Sequence, residues 1–437
     1  MTYSTSESKR LYELAKSVFP GGVNGKIKYR EPYPLFLSRA SGSHVWDADD
    51  NEYIDYNLSY GALILGHGHP IVKETIIKVL ETTGTTLFGN PNKLEIELAE
   101  LLLGIYMKDG YARFTNSGLE ATLLAIRLAR AFTKKSKIGK FDGHYHGANP
   151  FLLANYRPTK IDTKTGKIEK EADSADVTDD LLDNIVVIPF NDIENTKRIL
   201  DENDVGAVIL EPFEDGYIEA DKDFMIFLRN YTRERGIVLI FDEVKTGFRI
   251  RLGGAVEYYG IVPDIICLGK VIGGGAPIGA VIGKREIMDL LNPRNDVNRQ
   301  VFHSGTFNGN PISMSLGIAT INLLKDNDNF ERIRKLSNEL RQQISIVLNE
   351  SEIDHVVYGE GGIVNYTIGR KRVKTYRDLL KSDLNFRKKI DNEMLKRGVY
   401  LVPGSRFSLS ISHTSYDIDK TIESLEESLK NINQIKE

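Results

Sequence analysis

Three short apolar runs each lead straight into a residue that could do chemistry. Glu211-Pro212 follows 206–210, Asp242-Glu243 follows 236–241, and Gly269-Lys270 follows 264–268. Runs rich in β-branched residues, without alternation, read as strands buried on both faces of a mostly parallel sheet. Ligands bind such sheets beyond the carboxyl ends of the strands. A glutamate, an aspartate and a lysine are therefore expected at one site. Lys270 enters the apolar, glycine-rich stretch Val271-Ile272-Gly273-Gly274-Gly275. Desolvation there favours a neutral amine, which a Schiff-base lysine needs, although the same residues also read as a surface lysine before a flexible loop. A carboxylate at Asp242 needs a cationic partner. A protonated pyridine nitrogen would serve, as would a structural salt bridge or a helix end.

Other segments could hold a phosphate or a ring. Asn116-Ser117-Gly118-Leu119-Glu120 joins a strand to a helix at 119–132. Ser117 and Glu120 fit a capping box, and a capped helix start also presents free N–H groups to an anion. In Gly143-His144-Tyr145-His146-Gly147, Tyr145 could stack on an aromatic cofactor. No Cys or carboxylate stands at a spacing that would complete a metal site with the two histidines, so no metal is expected. His67 and His69 read as turn or packing residues. The polar loop 303–311 offers Thr306 to a phosphate, or is simply a capped helix entry. A lysine, an aspartate, a stacking tyrosine and two phosphate-ready turns together match one cofactor, pyridoxal 5′-phosphate (PLP).

These residues need a scaffold, and the composition allows one. The chain has 437 residues, 57 Lys+Arg against 61 Asp+Glu, and 41% hydrophobic residues. That is ordinary for a globular chain of two or three domains, at roughly 100–200 residues each. A net charge of -4 gives no electrostatic case for nucleic acid or an anionic membrane. Cys267 is the single cysteine, so no intrachain disulfide can form. The N-terminal stretch reads as an amphipathic helix, not a signal peptide, and no apolar run approaches the roughly 18 residues of a membrane span. A cytoplasmic protein is expected.

Helical and strand-like segments alternate from about 66 to 322, an α/β pattern. Strands are expected at 111–115, 137–141, 185–188, 206–210, 236–241, 264–268 and 280–282. Near the N-terminus a helix at 7–18 precedes a strand pair, with Trp46 and Tyr53 in the core. After about 317 the texture becomes that of a smaller α+β domain. Segment 156–180 is charged and poor in apolar residues, and reads as a surface hairpin turning at Thr165-Gly166. Lys160, Lys164, Lys167 and Lys170 lie in it. It is alternatively a loop that gates the site.

The chain resembles the fold-type I, class III PLP-dependent aminotransferases. Within them it is most similar to the branch of glutamate-1-semialdehyde 2,1-aminomutase and the β-amino-acid transaminases. The resemblance spans nearly the whole chain: FPGGVN at 19–24, YIDY at 53–56, LGHGHP at 65–70, RFTNSGLEA at 113–121 and GHYHG at 143–147. Its most specific stretches are IFDEVKTGFR at 240–249, YYGIVPDIICLGKVIGGGAPIGA at 258–280 and SGTFNGNP at 304–311. It implies a large PLP-binding domain at 66–316, with a mostly parallel, seven-stranded-type sheet between helices. A small domain would follow at 317–437. An N-terminal segment at 1–65, a helix and small antiparallel strands, would pack with it.

The resemblance also implies roles. Lys270 would form the Schiff base and shuttle protons, and Asp242 would pair with the pyridine nitrogen. Val244 and Tyr145 would flank the ring. Ser117, Gly118 and Leu119 would bind phosphate, joined by Gly305 and Thr306, the latter from the neighbouring subunit of a homodimer. Leu119 replaces a usual threonine. Gly25 and Lys28 stand where the aminomutases hold substrate carboxylate with Ser and Arg. Glu214 falls in a stretch, Phe213–Gly216 by number 213–216, that departs from the aminomutase pattern, and is expected near the substrate. Arg406 resembles the carboxylate-binding arginine of transaminases. The expected function is transfer of an amino group from a small donor to a carbonyl acceptor, through the Lys270 Schiff base and pyridoxamine phosphate. The alternative is the aminomutase, which moves the group within one molecule. Racemisation, decarboxylation and PLP binding without turnover are further readings.

Overall fold

The computed structural model describes residues 3–159 and 168–434. The turn expected at Thr165-Gly166, with Lys160, Lys164 and Lys167, lies outside them. Just before and after it, Ala154 and Ala172 form an antiparallel bridge.

The central sheet has seven strands: β1 (Gly110–Thr115), β2 (Lys137–Phe141), β3 (Ile185–Ile188), β4 (Val205–Leu210), β5 (Val238–Asp242), β6 (Ile265–Gly269) and β7 (Gly279–Lys284). Their order is β1-β7-β6-β5-β4-β2-β3, and only β7 runs against its neighbours. Every residue of β4, β5 and β6 is buried. That explains their continuous apolar sequences, because helices cover both faces of the sheet. Helix α1 (Gly118–Thr133) turns Ala121, Leu124, Ala125, Leu128 and Ala129 inward at helical spacing. Burying a leucine of this kind contributes about 1.5–3 kcal/mol.

The sequence places strand starts at 236 and 264 too early, for local reasons. Gly236 has φ +64° and closes the turn after helix Lys222–Glu234, so β5 begins at Val238. Asp264 is a fastener ahead of β6: its carboxylate accepts from Leu239 N–H and pairs with Arg229 and Lys284. Trp46 is half-buried, not core. It shares its strand with buried Val45 and Asp47 but faces the other way, where the Arg39 guanidinium lies 4.0 Å from its ring centre. Tyr53 is buried as expected.

The two ends of the chain share a sheet. Strands Leu37–Ser41, His44–Asp47 and Glu52–Asp55 are joined in parallel by Val399–Tyr400. Strands His355–Tyr358, Ile363–Ile368 and Phe407–Ser408 form a second antiparallel sheet, near helices Asn327–Glu350, Leu384–Leu395 and Ser415–Gln434. We propose the division into 1–65, a large domain and a small domain, with one change. The boundary at 316 falls inside helix Pro311–Leu324, so we set it at the end of that helix. Among the described residues no helix is long and apolar enough to cross a membrane.

Candidate active site

The parallel topology sets the three polar residues side by side. β4, β5 and β6 are consecutive neighbours in the sheet, so Glu211, Asp242 and Lys270 emerge at the same edge. Lys270 opens a short turn after β6 with φ +50°. That conformation costs a non-glycine residue about 1–3 kcal/mol and persists only where the surroundings enforce it. Burial, then the positive charges of Lys245 and Arg406, hold the Lys270 ammonium down to about 7, against the pull of Asp242 and Glu211. Among the described residues its Nζ has no hydrogen-bond partner.

Asp242 is 4% exposed and has a partner the sequence did not supply. His146 Nδ1 lies 2.7 Å from Oδ2, while Oδ1 accepts from the Val244 N–H at 3.1 Å. His146 is a positioning residue, and its Nε2 is buried without a partner. His144 orients the next strand end: its Nδ1 accepts the Glu211 N–H at 3.0 Å, and burial keeps the ring neutral. The sequence reading met both histidines only as candidate metal ligands. Their real signal was their place directly after β2, beside β4. No group of metal-ligating residues is found among the described residues.

The phosphate-ready turn is built as expected at its first residues. Ser117 Oγ accepts from Glu120 N–H at 3.1 Å, and Glu120 Oε2 accepts from Asn116 N–H at 2.8 Å. This caps α1 and leaves the N–H groups of Gly118 and Leu119 without partners among the described residues. A Cβ on Gly118 would stand 2.7 Å from Val244 Cγ1, and one on Gly269 would stand 3.3 Å from Gly118 Cα. The helix start, Val244 and the end of β6 therefore meet without intervening side chains. The donor set fits PLP: an unpartnered buried amine, an anchored carboxylate and a bare helix start.

Around this floor runs a rim of charge. Lys245 lies 2.7 Å from both Glu211 and Asp215. Arg406 donates to the Asp215 carbonyl at 2.8 Å and the Tyr60 carbonyl at 3.3 Å, and its guanidinium is 3.5 Å from the Asp215 carboxylate. Lys245 and Arg406 hold the Asp215 carboxyl far below its usual range. Tyr145 donates its N–H to Glu211 at 2.9 Å, its ring packs against that of Tyr156 at 4.5 Å with a tilt of 42°, and Lys245 Nζ is 5.5 Å from the ring centre. Neither Lys245 nor Asp215 was singled out from sequence as a site residue. Lys245 sits in the DEVKTGFR stretch, and that was its only signal.

Four expected residues sit elsewhere. Glu214 is buried against Gly143 and accepts from Tyr376 N–H at 3.1 Å. Burial, then Glu211, Asp142 and Asp215, keep its carboxyl well above the usual carboxylate range. A buried acid bonded to the C-terminal part fastens two regions together, so we remove it from the substrate contacts. Lys28 is exposed and lines, with Arg30, a cavity of about 1030 Å³ beside Asn57, Ser59 and Tyr60. Lys270 and Asp242 do not line that cavity. Gly305 and Thr306 are exposed, while Asn308 in the same loop accepts from Asn116 at 2.7 Å.

Comparison with known proteins agrees with this geometry. A family model described as Aminotransferase class-III matches residues 27–429. The glutamate-1-semialdehyde 2,1-aminomutase of Fusobacterium nucleatum is 41% identical over 436 residues, covering 97% of each chain. Among solved structures, an omega-transaminase from Sphaerobacter thermophilus superposes with a TM-score of 0.91 at 33% identity over 97% of both chains. A transaminase with PLP bound gives 0.89 at 32% identity over 98% of both.

Proposed function

From the premise that this chain belongs to the class III aminotransferase family, whose cofactor is PLP, we propose that it moves amino groups with Lys270 as covalent anchor and proton carrier. The observation that carries this reading is the desolvated, unpartnered amine of half-buried Lys270 at the end of β6, with Asp242 among its charge neighbours. PLP, when bound, supplies a carbonyl for amine capture and an electron sink for the adjoining carbon.

The chain's own residues do the rest. With its ammonium held to about 7, much of Lys270 is neutral near neutral pH. It could attack a carbonyl carbon and, once freed by the donor amine, could take a proton from the substrate carbon and return it two atoms along, beyond the nitrogen. Asp242, fixed by His146 and the Val244 N–H, would hold a proton on the ring nitrogen. Gly118 and Leu119 N–H groups, with Ser117, would take the phosphate. Val244 and Tyr145 would flank the ring. Arg406 would orient a substrate carboxylate. We propose a cytoplasmic homodimer in which Gly305 and Thr306 serve the partner's phosphate. Val297, Phe302 and Phe307 nearby in the chain are 83%, 72% and 61% exposed, as an interface would require.

Two finer readings share this half-reaction. The names of the curated relatives favour the 2,1-aminomutase over transfer between two molecules, which the sequence put first. Transfer to a separate acceptor keeps support of its own: Gly25 and Lys28 replace the carboxylate-holding pair, Arg406 stands at the site, and the 33% identical structure is a transaminase. The test is a visible spectrum of the PLP-loaded protein as amino donors are added without acceptor. A changed spectrum with stoichiometric keto product establishes transfer between molecules. Conversion of glutamate-1-semialdehyde to an isomer, with no keto product, establishes the mutase. No change with any donor or with the semialdehyde removes both.

A further inference from the structure

One of the carbonyls that steady Arg406 belongs to a strained turn. Leu58, Ser59 and Tyr60 take φ of +45°, +52° and +59° in succession, and Gly61 follows at +84°. Side chains disfavour this left-handed conformation, and a run of it persists only where the surroundings enforce it. The turn meets two guanidinium groups. The Tyr60 carbonyl accepts from Arg406 at 3.3 Å, and the Gly61 carbonyl accepts from the buried Arg249 at 2.6 Å. A Cβ on Gly61 would stand 3.7 Å from Arg406 Nη2, so the backbone itself packs against that guanidinium.

A single buried carboxylate holds the entry to the turn. Asp55 Oδ1 accepts from Asn57 N–H at 2.8 Å and from Leu58 N–H at 3.0 Å. Asp55 Oδ2 lies 2.8 Å from His67 Nε2, which donates to it. The backbone of His67 is pinned in turn: its N–H and carbonyl both bond Gly42, at 2.7 and 2.8 Å. At the exit, Asn57 accepts the Tyr60 N–H on its side chain at 3.2 Å and the Gly61 N–H on its carbonyl at 2.9 Å. Contacts therefore run without a break from an imidazole to a carboxylate, to the turn, to the Arg406 guanidinium.

We propose that His67 and Asp55 are positioning residues for substrate binding: they lock the turn that presents the Tyr60 carbonyl to Arg406, and so set how tightly the site holds a carboxylate. The proposal rests on the amino-transfer reading above, in which Arg406 meets the substrate carboxylate. Without His67, Asp55 is free to swing away from the two N–H groups. The turn then spends part of its time in conformations that leave Arg406 short of an acceptor. A fork aligned for only part of the time binds a carboxylate proportionally more weakly.

The test is binding of glutarate, a carboxylate that cannot transfer an amino group, to the PLP-loaded protein by calorimetry. Wild type, His67→Ala, His67→Gln and Asp55→Ala are compared, with retention of PLP read from the visible spectrum. The wild type should bind glutarate. His67→Ala should weaken it roughly 3- to 10-fold, as loss of one hydrogen bond does, with PLP retention unchanged. His67→Gln keeps a donor toward Asp55 and should recover most of that loss, whereas Asp55→Ala should lose at least as much as His67→Ala. Should His67→Ala fail to fold, His67→Asn, too short for the bond, takes its place, and the His67 variants decide if Asp55→Ala does not fold. A wild type that does not bind glutarate, a His67→Ala protein that binds it as the wild type does, or one that loses glutarate and PLP alike would overturn the proposal. So would a His67→Gln protein no better than His67→Ala. The spectral titration with amino donors tests the function separately. If no donor changes the spectrum while His67→Ala loses glutarate, the amino-transfer reading fails and the positioning role stands. If donors react while His67→Ala keeps glutarate, the reverse holds.

Discussion

The floor of the site and its rim are held by opposite means. On the floor, Lys270 has no hydrogen-bond partner among the described residues, and burial sets its proton affinity. Asp242 is fixed by one histidine and one backbone N–H. On the rim, Lys245, Glu211, Asp215 and Arg406 share one another, so each charge is compensated. An unpaired buried amine is reactive because it is costly to charge, whereas a paired network is stable because no member is left alone. Reactivity and stability are therefore divided between adjacent parts of one pocket.

The largest effect expected tests the floor. Lys270→Ala should lower the single-turnover rate of the donor half-reaction by roughly 10⁴-fold or more, while circular dichroism shows an intact fold. A rate near wild type would end the division of roles. Next, Asp242→Asn should cost roughly 10²–10⁴-fold in the same rate. His146→Phe should cost less, because it acts through Asp242, and its loss should fall in kcat more than in KM. Equal effects on both parameters would mean that His146 is only packing.

The rim should respond in stability instead. Asp215→Ala leaves Lys245 with Glu211 alone and takes the carboxylate from Arg406. Removing one partner of a buried ion network costs about 3–5 kcal/mol, which urea denaturation would read. Its effect on turnover should be secondary and confined to acidic substrates. If Asp215→Ala were neutral in urea yet abolished turnover, rim and floor would have exchanged roles.

The smallest effect is graded by pH. The Lys270 amine is neutral above about 7 and charged below it. The rate of PLP capture by the cofactor-free protein should therefore fall about tenfold per pH unit below that value and level off above it. The sign for stability follows from the same depression. Below pH 7 both states carry the charge, and the folded state bears the full cost of burying it. Between about 7 and the ordinary lysine value near 10.5, the unfolded chain binds the extra proton, so this group lets stability rise with pH. A rate that goes on rising tenfold per pH unit past 7, towards 10.5, would place the lysine in solvent.

The sequence revealed the floor better than the rim for a physical reason. Asp242 and Lys270 stand at the ends of buried parallel strands, and that topology places such ends together whatever the loops do. β2 and β3 were readable to the residue, and for β3 the reason is its uninterrupted β-branched run Ile185-Val186-Val187-Ile188. The rim is assembled from residues 60, 211, 215, 245 and 406. Its pairings depend on how the C-terminal part docks, which no local pattern encodes. Glu214 shows the same limit: its place in the stretch 213–216, which departs from the aminomutase pattern, put it near the substrate, but docking of helix Tyr376–Leu380 buried it. His146 was given no role, because once a metal site was set aside nothing in the local sequence pointed to an aspartate a strand away.

Leu58, Ser59 and Tyr60 all have positive φ, at 45°, 52° and 59°, and lead into Gly61. The Tyr60 carbonyl receives Arg406, and the Gly61 carbonyl receives the buried Arg249. Glycine at 58 would lose a fully buried leucine, which outweighs any relief of strain. At 59 or 60 it would relieve roughly 1–2 kcal/mol of steric cost per residue, partly offset by the greater freedom of the unfolded chain. A directed-evolution library ranked by heat tolerance would be drawn to those codons. The winners would carry a looser cradle for Arg406, and the lost discrimination between substrates would stay invisible to any screen that reads melting alone.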